Sequence, residues 1–251
     1  MDEFVLPKKK LPKVTQDPKN LIIYGVPKIG KTSLLSTLED NLIIDLEDGS
    51  DYVEALKVKV HNVNELNNLC KEIIKAGCPY KFVTIDTITA LEEIAKPLAL
   101  SMYKSSPLGK NYTGNDVLSL PMGAGYGWLR QAIEKLIDIV SKTAKNIIIV
   151  GHVKDKSITD SEGREVGSIK DFDLTGKTGR ILAAKSDAIG FIHRDKNSNL
   201  CINFMTQGEA TAGARPEHLA NNDIVVAERQ EDGSFISHWD RIYPSLSNGN
   251  N

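Results

Sequence analysis

The chain has 251 residues, 41% hydrophobic and 25% charged, with 31 basic against 33 acidic side chains and a formal charge of −2. There is enough apolar side chain to bury a core, which excludes disorder over most of the length. The longest apolar runs, such as residues 146–150, are strand-length and far short of the roughly 20 residues that a membrane helix needs. Met1-Asp2-Glu3-Phe4 lacks a charged-then-apolar signal pattern, and Cys70, Cys78 and Cys201 show no C-x-x-C spacing. The expectation is a reduced, cytoplasmic setting with no membrane partner and no zinc framework. The charge balance argues against a broadly basic surface coating nucleic acid, though a local groove stays open.

Residues 1–19 read as a flexible basic N-terminal tail, because Pro7, Pro12 and Pro18 interrupt Lys8-Lys9-Lys10 and Lys13. From Asn20 the pattern becomes strand, turn, helix, repeated. Leu21-Ile22-Ile23-Tyr24 predicts a buried strand, and a helix follows from Gly30 on Leu34, Leu35 and Leu38. Leu42-Ile43-Ile44 predicts a second strand. Asn64 caps a helix on Leu66, Leu69, Cys70, Ile73 and Ile74, ended by Gly77 and Pro79. Residues 82–86 predict a third strand, and 88–103 a helix that Pro97 should kink or break. Residues 104–125 predict a long loop, 126–143 an amphipathic helix, 147–150 another buried strand, and 154–179 a second long polar loop. Short strand-like runs follow near 188–192, 200–205 and 224–227, and 245–251 reads as a disordered C-terminal tail. The alternation predicts one α/β domain over 20–244, a mostly parallel central sheet flanked by helices on both faces.

The sharpest motif is Gly25-Val26-Pro27-Lys28-Ile29-Gly30-Lys31-Thr32, which is G-x-x-x-x-G-K-T between a predicted strand and a Leu-rich helix. Glycines let backbone N–H groups wrap phosphate oxygens, and the helix start, with Ser33 next in line, favours anions. Lys31 is the candidate cation for the β- and γ-phosphates of ATP, and the Thr32 hydroxyl a candidate Mg²⁺ ligand. Gly176-Lys177-Thr178 repeats the triplet, but position 171 is Asp where a second P-loop needs Gly. The motif also calls for an acid at the end of a neighbouring strand, and Asp86 fits as the second metal-site residue.

Hydrolysis further needs a group that orients water. The position after Asp86 is Thr87, so the base is sought elsewhere, and Glu47 at the end of the strand before it is the candidate, with Asp45 and Asp48 as competitors. His152, closing the strand at 147–150, is a candidate sensor of the γ-phosphate.

Taken in order, Gly25–Thr32, Ile44-Asp45-Leu46-Glu47, Val83-Thr84-Ile85-Asp86 and Ile149-Val150-Gly151-His152 resemble the motifs of the RecA-like P-loop ATPases. More closely, the chain resembles small phage-encoded RecA-like proteins that include single-strand annealing recombinases. Tyr126-Gly127-Trp128-Leu129-Arg130 and Gly213-Ala214-Arg215-Pro216-Glu217-His218-Leu219 share in the resemblance, which spans roughly 20–225. It implies a Mg-dependent DNA-acting ATPase of recombination, repair or replication, in the host cytoplasm if phage-encoded. It also implies a homo-oligomer, ring or filament, with ATP at the subunit interface and single-stranded DNA facing loops 104–125 and 154–179. A cation from the neighbouring subunit would come from Lys177, Arg180, Lys185 or Arg194, and Tyr103, Tyr112 and Tyr126 are candidates to stack on bases. In 154–179, however, six basic residues face six acidic ones, so there is no basic patch. The rival readings are a small-molecule or nucleotide kinase, and a nucleotide-gated DNA-binding protein that does not hydrolyse.

Overall fold

The structure, a computed structural model, describes residues 9, 10, 13 and 16–249, so most of the predicted basic tail lies outside it. In chain order the elements are β1 (Asn20–Gly25), α1 (Lys31–Ser36), β2 (Asn41–Asp45), β3 (Lys57–Lys59), α2 (Val63–Lys75), β4 (Phe82–Asp86), α3 (Ile88–Lys104) and α4 (Ala124–Val140). Then come β5 (Asn146–Thr159), β6 (Glu165–Phe172), α5 (Thr178–Lys185), β7 (Ala188–Arg194), β8 (Leu200–Asn203), β9 (Gly213–Ala214), β10 (Asp223–Arg229) and β11 (Phe235–Ser237).

The sheet runs β11-β10-β8-β7-β1-β5-β4-β2-β3. The six strands from β7 to β3 are parallel, and β8, β10 and β11 extend them as an antiparallel flank. Strands β2 and β4 are buried at every residue, as strands covered on both faces must be. One face packs on α2, α3 and α4, with Leu66, Leu91, Leu129, Ile133 and Leu136 at its centre. The other face is covered differently. There α1 has only six residues, and Phe204, Leu219, Trp239, Ile242 and Tyr243 complete the layer. The Trp239 indole N–H donates to Leu34 O at 3.1 Å and lies 3.2 Å from the Thr37 hydroxyl, so the C-terminal segment caps the short helix that follows the P-loop.

Four expectations change. Helix α3 runs through Pro97, which lies on its exposed side while Leu91, Ala95, Ala99 and Tyr103 pack inward. The predicted loop 154–179 is largely a β-hairpin: β5 continues past the main sheet and pairs antiparallel with β6, from Val153↔Phe172 to Thr159↔Glu165. The tail at 245–251 is ordered as far as it is described. Residues 244–249 turn through a 3₁₀ helix, Ser245 N–H donates to Asp17 at 3.2 Å, and Leu246 packs on the core. Finally, Asp86 is not on a strand adjacent to the P-loop strand, because β5 lies between β1 and β4.

Trp239 is 4% exposed, and its replacement removes both a large core side chain and the cap of α1. Trp239→Ala should lose about 3–5 kcal/mol in urea unfolding, and Trp239→Phe, which keeps most of the packing, about 1 kcal/mol.

Candidate active site

Parallel register brings the candidate residues to one end of the sheet. Gly25 pairs with His152, Asp86 with Val150, and Asp45 with Asp86. The loop after β1 needs its glycines. A Cβ on Gly25 would stand 2.5 Å from the Ile192 side chain and 2.7 Å from its carbonyl oxygen, and Gly30 has φ +112°.

Lys31 is buried at the start of α1, where its ammonium donates to Gly25 O at 3.1 Å and Val26 O at 2.9 Å. Burial pushes the Lys31 ammonium below its usual value, and the negative fields of Asp86 and Glu47 oppose that shift. The Thr32 hydroxyl donates to Asp86 Oδ2 at 2.7 Å. Burial pushes the Asp86 carboxyl up, and the Thr32 bond holds it back. A hydroxyl beside a carboxylate is a hard-oxygen donor pair of the kind that takes Mg²⁺, and Lys31 is a cation next to a glycine-lined cradle. The residues therefore fit a magnesium-nucleotide.

Glu47 accepts a hydrogen bond from the Thr87 hydroxyl, and its Oε1 lies 3.2 Å from His152 Nε2. His152 Nδ1 is buried with no hydrogen-bond partner among the described residues. The competitors of Glu47 are occupied elsewhere. Asp45 is 3% exposed and accepts from the backbone of Glu47, Gly49 and Ser50 at 3.0–3.3 Å and from the Ser50 hydroxyl. Asp48 pairs with Lys59 and His61, each at 3.3 Å.

Arg194 was a candidate to act across an interface, but its Nη2 donates to Ile29 O of its own P-loop at 3.0 Å while its guanidinium covers Phe235. Lys185 pairs with Glu134 at 2.7 Å. Of the candidate stacking residues, Tyr103 is buried against Tyr112 and Trp128, whereas Tyr126 is 50% exposed. Two contributors went unread in the sequence. Thr87 positions Glu47. Glu92 of α3, which is 4% exposed, accepts from Thr175 N–H at 3.1 Å and from its hydroxyl at 3.0 Å, so it anchors the loop after β6. The signal for Glu92 was its place on the stripe of Ile88, Ala95 and Ala99, where an acid among buried apolar residues needs a partner.

A family model described as AAA domain (AAA_24) matches residues 17–222. The chain belongs to that family. In this AAA-domain chain the P-loop strand lies inside the sheet, with helices on both faces. No curated protein matches it. Among solved structures, that of the RadB recombinase is similar, with 15% identity and a TM-score of 0.44 over 86% of this chain and 90% of that one.

Asp45 links the site to stability. Its burial acts to raise its pKa, and the hydrogen bonds from Ser50, Glu47 and Gly49 outweigh it, so the carboxyl titrates below the usual range. A depressed folded pKa stabilises above the unfolded value of about 3.9, and that contribution is lost as pH falls through the folded pKa. Asp45→Asn should therefore cost about 1–3 kcal/mol in urea unfolding at pH 7. The gap from wild type should narrow as the pH is taken well below about 4.

Proposed function

We propose that the domain binds Mg·ATP and hydrolyses it slowly in a DNA transaction of recombination, repair or replication, with single-stranded DNA as its partner. The observation that carries the ATPase part is the convergence of five side chains on or just after four separate strands. Lys31 and Thr32 follow β1, Glu47 follows β2, Asp86 ends β4 and His152 lies on β5, with Thr32 on Asp86 at 2.7 Å and Glu47 by His152 at 3.2 Å. Residues 25–33 form the nucleotide cradle, and Lys31 is the cation for the β- and γ-phosphates. Thr32 and Asp86 hold the magnesium, which supplies charge neutralisation on the phosphates. Glu47, held by Thr87 and His152, orients and deprotonates the attacking water.

His152 is the coupling residue. Its carbonyl accepts from Asp173 N–H at 3.0 Å, two residues before Thr175, so movement at Glu47 reaches the loop after β6 through one strand. That loop and the start of α4 enclose a cleft of about 410 Å³ lined by Tyr126, Arg130, Thr175 and Lys177. Among the described residues Arg130 and Lys177 have no ion-pair partner. An exposed tyrosine sharing a cleft with two unpaired cations suits a base and its phosphates. The hairpin is the poorer candidate. Lys154, Lys156, Lys170 and Arg164 pair with Asp173, Asp171, Asp155 and Asp160, so its charge is neutralised internally. We place DNA at the junction of the loops 104–125 and 154–179, nearer their α4 and α5 ends. In a homo-oligomer with ATP between subunits, ring or filament, Lys177 and Arg180 remain the candidate trans cations, because Arg194 and Lys185 are engaged within their own chain.

Steady-state ATPase assays with and without single-stranded DNA test both parts. Glu47→Ala should lower turnover about 10²–10⁴-fold while nucleotide binding persists, and Lys31→Ala should abolish binding. Full activity in Glu47→Ala removes the assigned base, and phosphate transfer to a small acceptor would favour a kinase. DNA should stimulate wild type, and Tyr126→Ala with Lys177→Glu should reduce that stimulation. No stimulation of wild type removes the DNA reading.

A further inference from the structure

Away from the phosphate loop, the antiparallel flank carries a cluster that the ATPase chemistry does not use. His193 of β7 pairs in register with Cys201 of β8, and β10, which carries Asp223, is the next strand. One ring nitrogen of His193, Cys201 Sγ and a carboxylate oxygen of Asp223 all lie within 4.8 Å of one another. His193 Nε2 is 2.9 Å and 3.0 Å from the two Asp223 oxygens.

We propose that His193, Cys201 and Asp223 form a binding site for a borderline-soft divalent metal ion of the zinc class, with a fourth position open to solvent. The donor set is nitrogen, sulfur and carboxylate oxygen, which selects such an ion over Mg²⁺. A tetrahedral site needs these donors roughly 3.3–3.6 Å apart. The His193–Asp223 separation is 2.9 Å and no pair in the cluster exceeds 4.8 Å, so small side-chain shifts reach that range.

The imidazole supplies the second observation. Nδ1 faces Arg194 O at 3.3 Å while Nε2 faces the Asp223 carboxylate, so both ring nitrogens look at oxygen acceptors. A neutral imidazole has one N–H to give. With that hydrogen on Nδ1 and held by the Arg194 carbonyl, Nε2 presents its lone pair on the side of Asp223 and Cys201, which is how a metal-ligating histidine is oriented. The entry path is open, since the His193 and Asp223 side chains are 30% and 38% exposed. Cys201 lies buried beneath them. On binding, the Cys201 thiol proton passes to solvent and the thiolate becomes the ligand. The ion would join β7, β8 and β10.

Titration of the nucleotide-free, full-length protein with Co²⁺ tests the site independently of the ATPase reading. The expected result is a thiolate-to-cobalt charge-transfer band that saturates at one equivalent, is lost in Cys201→Ser and is kept in Cys78→Ser. His193→Ala and Asp223→Asn, both at the surface, should each weaken binding by roughly tenfold or more. Zn²⁺ should displace the cobalt and raise the melting temperature of wild type but not of Cys201→Ser. Displacement by millimolar Mg²⁺ would overturn the assignment. So would the absence of the band in wild type, or a band that survives in both folded Cys201→Ser and His193→Ala. Any of these leaves a plain His193–Asp223 ion pair.

Discussion

The register of four parallel strands is the constraint on which the candidate site depends. Gly25 opposite His152, Val150 opposite Asp86, and Asp86 opposite Asp45 set the chemical groups at one level. Side chains alternate faces along a strand, so a slip of one residue would turn Asp86 away from Thr32 and bury a different face of β4. The core prevents that slip. Val83 and Ile85 belong to the layer under α2, α3 and α4, while Phe82 packs with Tyr243 on the opposite side. Hydrophobic burial on two faces, with no contact to any ligand, thus fixes the spacing that phosphate chemistry uses.

Within that frame the charges are arranged against their own desolvation. Lys31 and Asp86 are both buried, and burial moves each toward neutrality. Asp86 and Glu47 support the lysine charge, whereas Glu47 and Asp45 make the Asp86 charge harder to keep. Three acids and one lysine leave the pocket short of positive charge. A dication at Thr32 and Asp86 would correct that balance, and the phosphates would then engage Lys31, which rests on two carbonyls. Protein and ligand charges complete one another, which is why the buried groups are tolerable only as a set.

The phosphate loop was legible in the sequence because its chemistry demands fixed residue types at fixed spacing next to a strand and a helix. The central strands β1, β2 and β4 were legible because each carries an apolar run and is buried at nearly every residue. Strands β3, β6 and β11 were not, because they are partly exposed, and Glu165–Phe172 carries charge on both faces and so shows no apolar alternation. Pro97 misled for a related reason: a proline breaks an isolated helix, but the α3–α4 contact holds this one together through it. Arg194 shows the remaining limit of spacing arguments. Nothing in its neighbours states that β7 will lie beside β1 and bring a guanidinium onto Ile29 O.

The same adjacency bears on how subunits could cooperate. An arginine that holds a carbonyl of its own phosphate loop, stacks on Phe235 and also bonds Ser198 O has little freedom to reach a neighbour. It ties the loop to the antiparallel flank instead. On the opposite side of β1, His152 ties the same site to Asp173 and the loop anchored by Glu92. The phosphate loop therefore sits between two mechanical connections, one through β7 to the flank and one through β5 to the loop after β6. The second runs through a histidine whose buried Nδ1 has no partner among the described residues, and the first through a guanidinium held on two carbonyls and a ring face. The first of these polar links is the more fully bonded, and a more fully satisfied network is the more rigid. A change in phosphate state should therefore be transmitted toward Tyr126 and Lys177 rather than toward the flank.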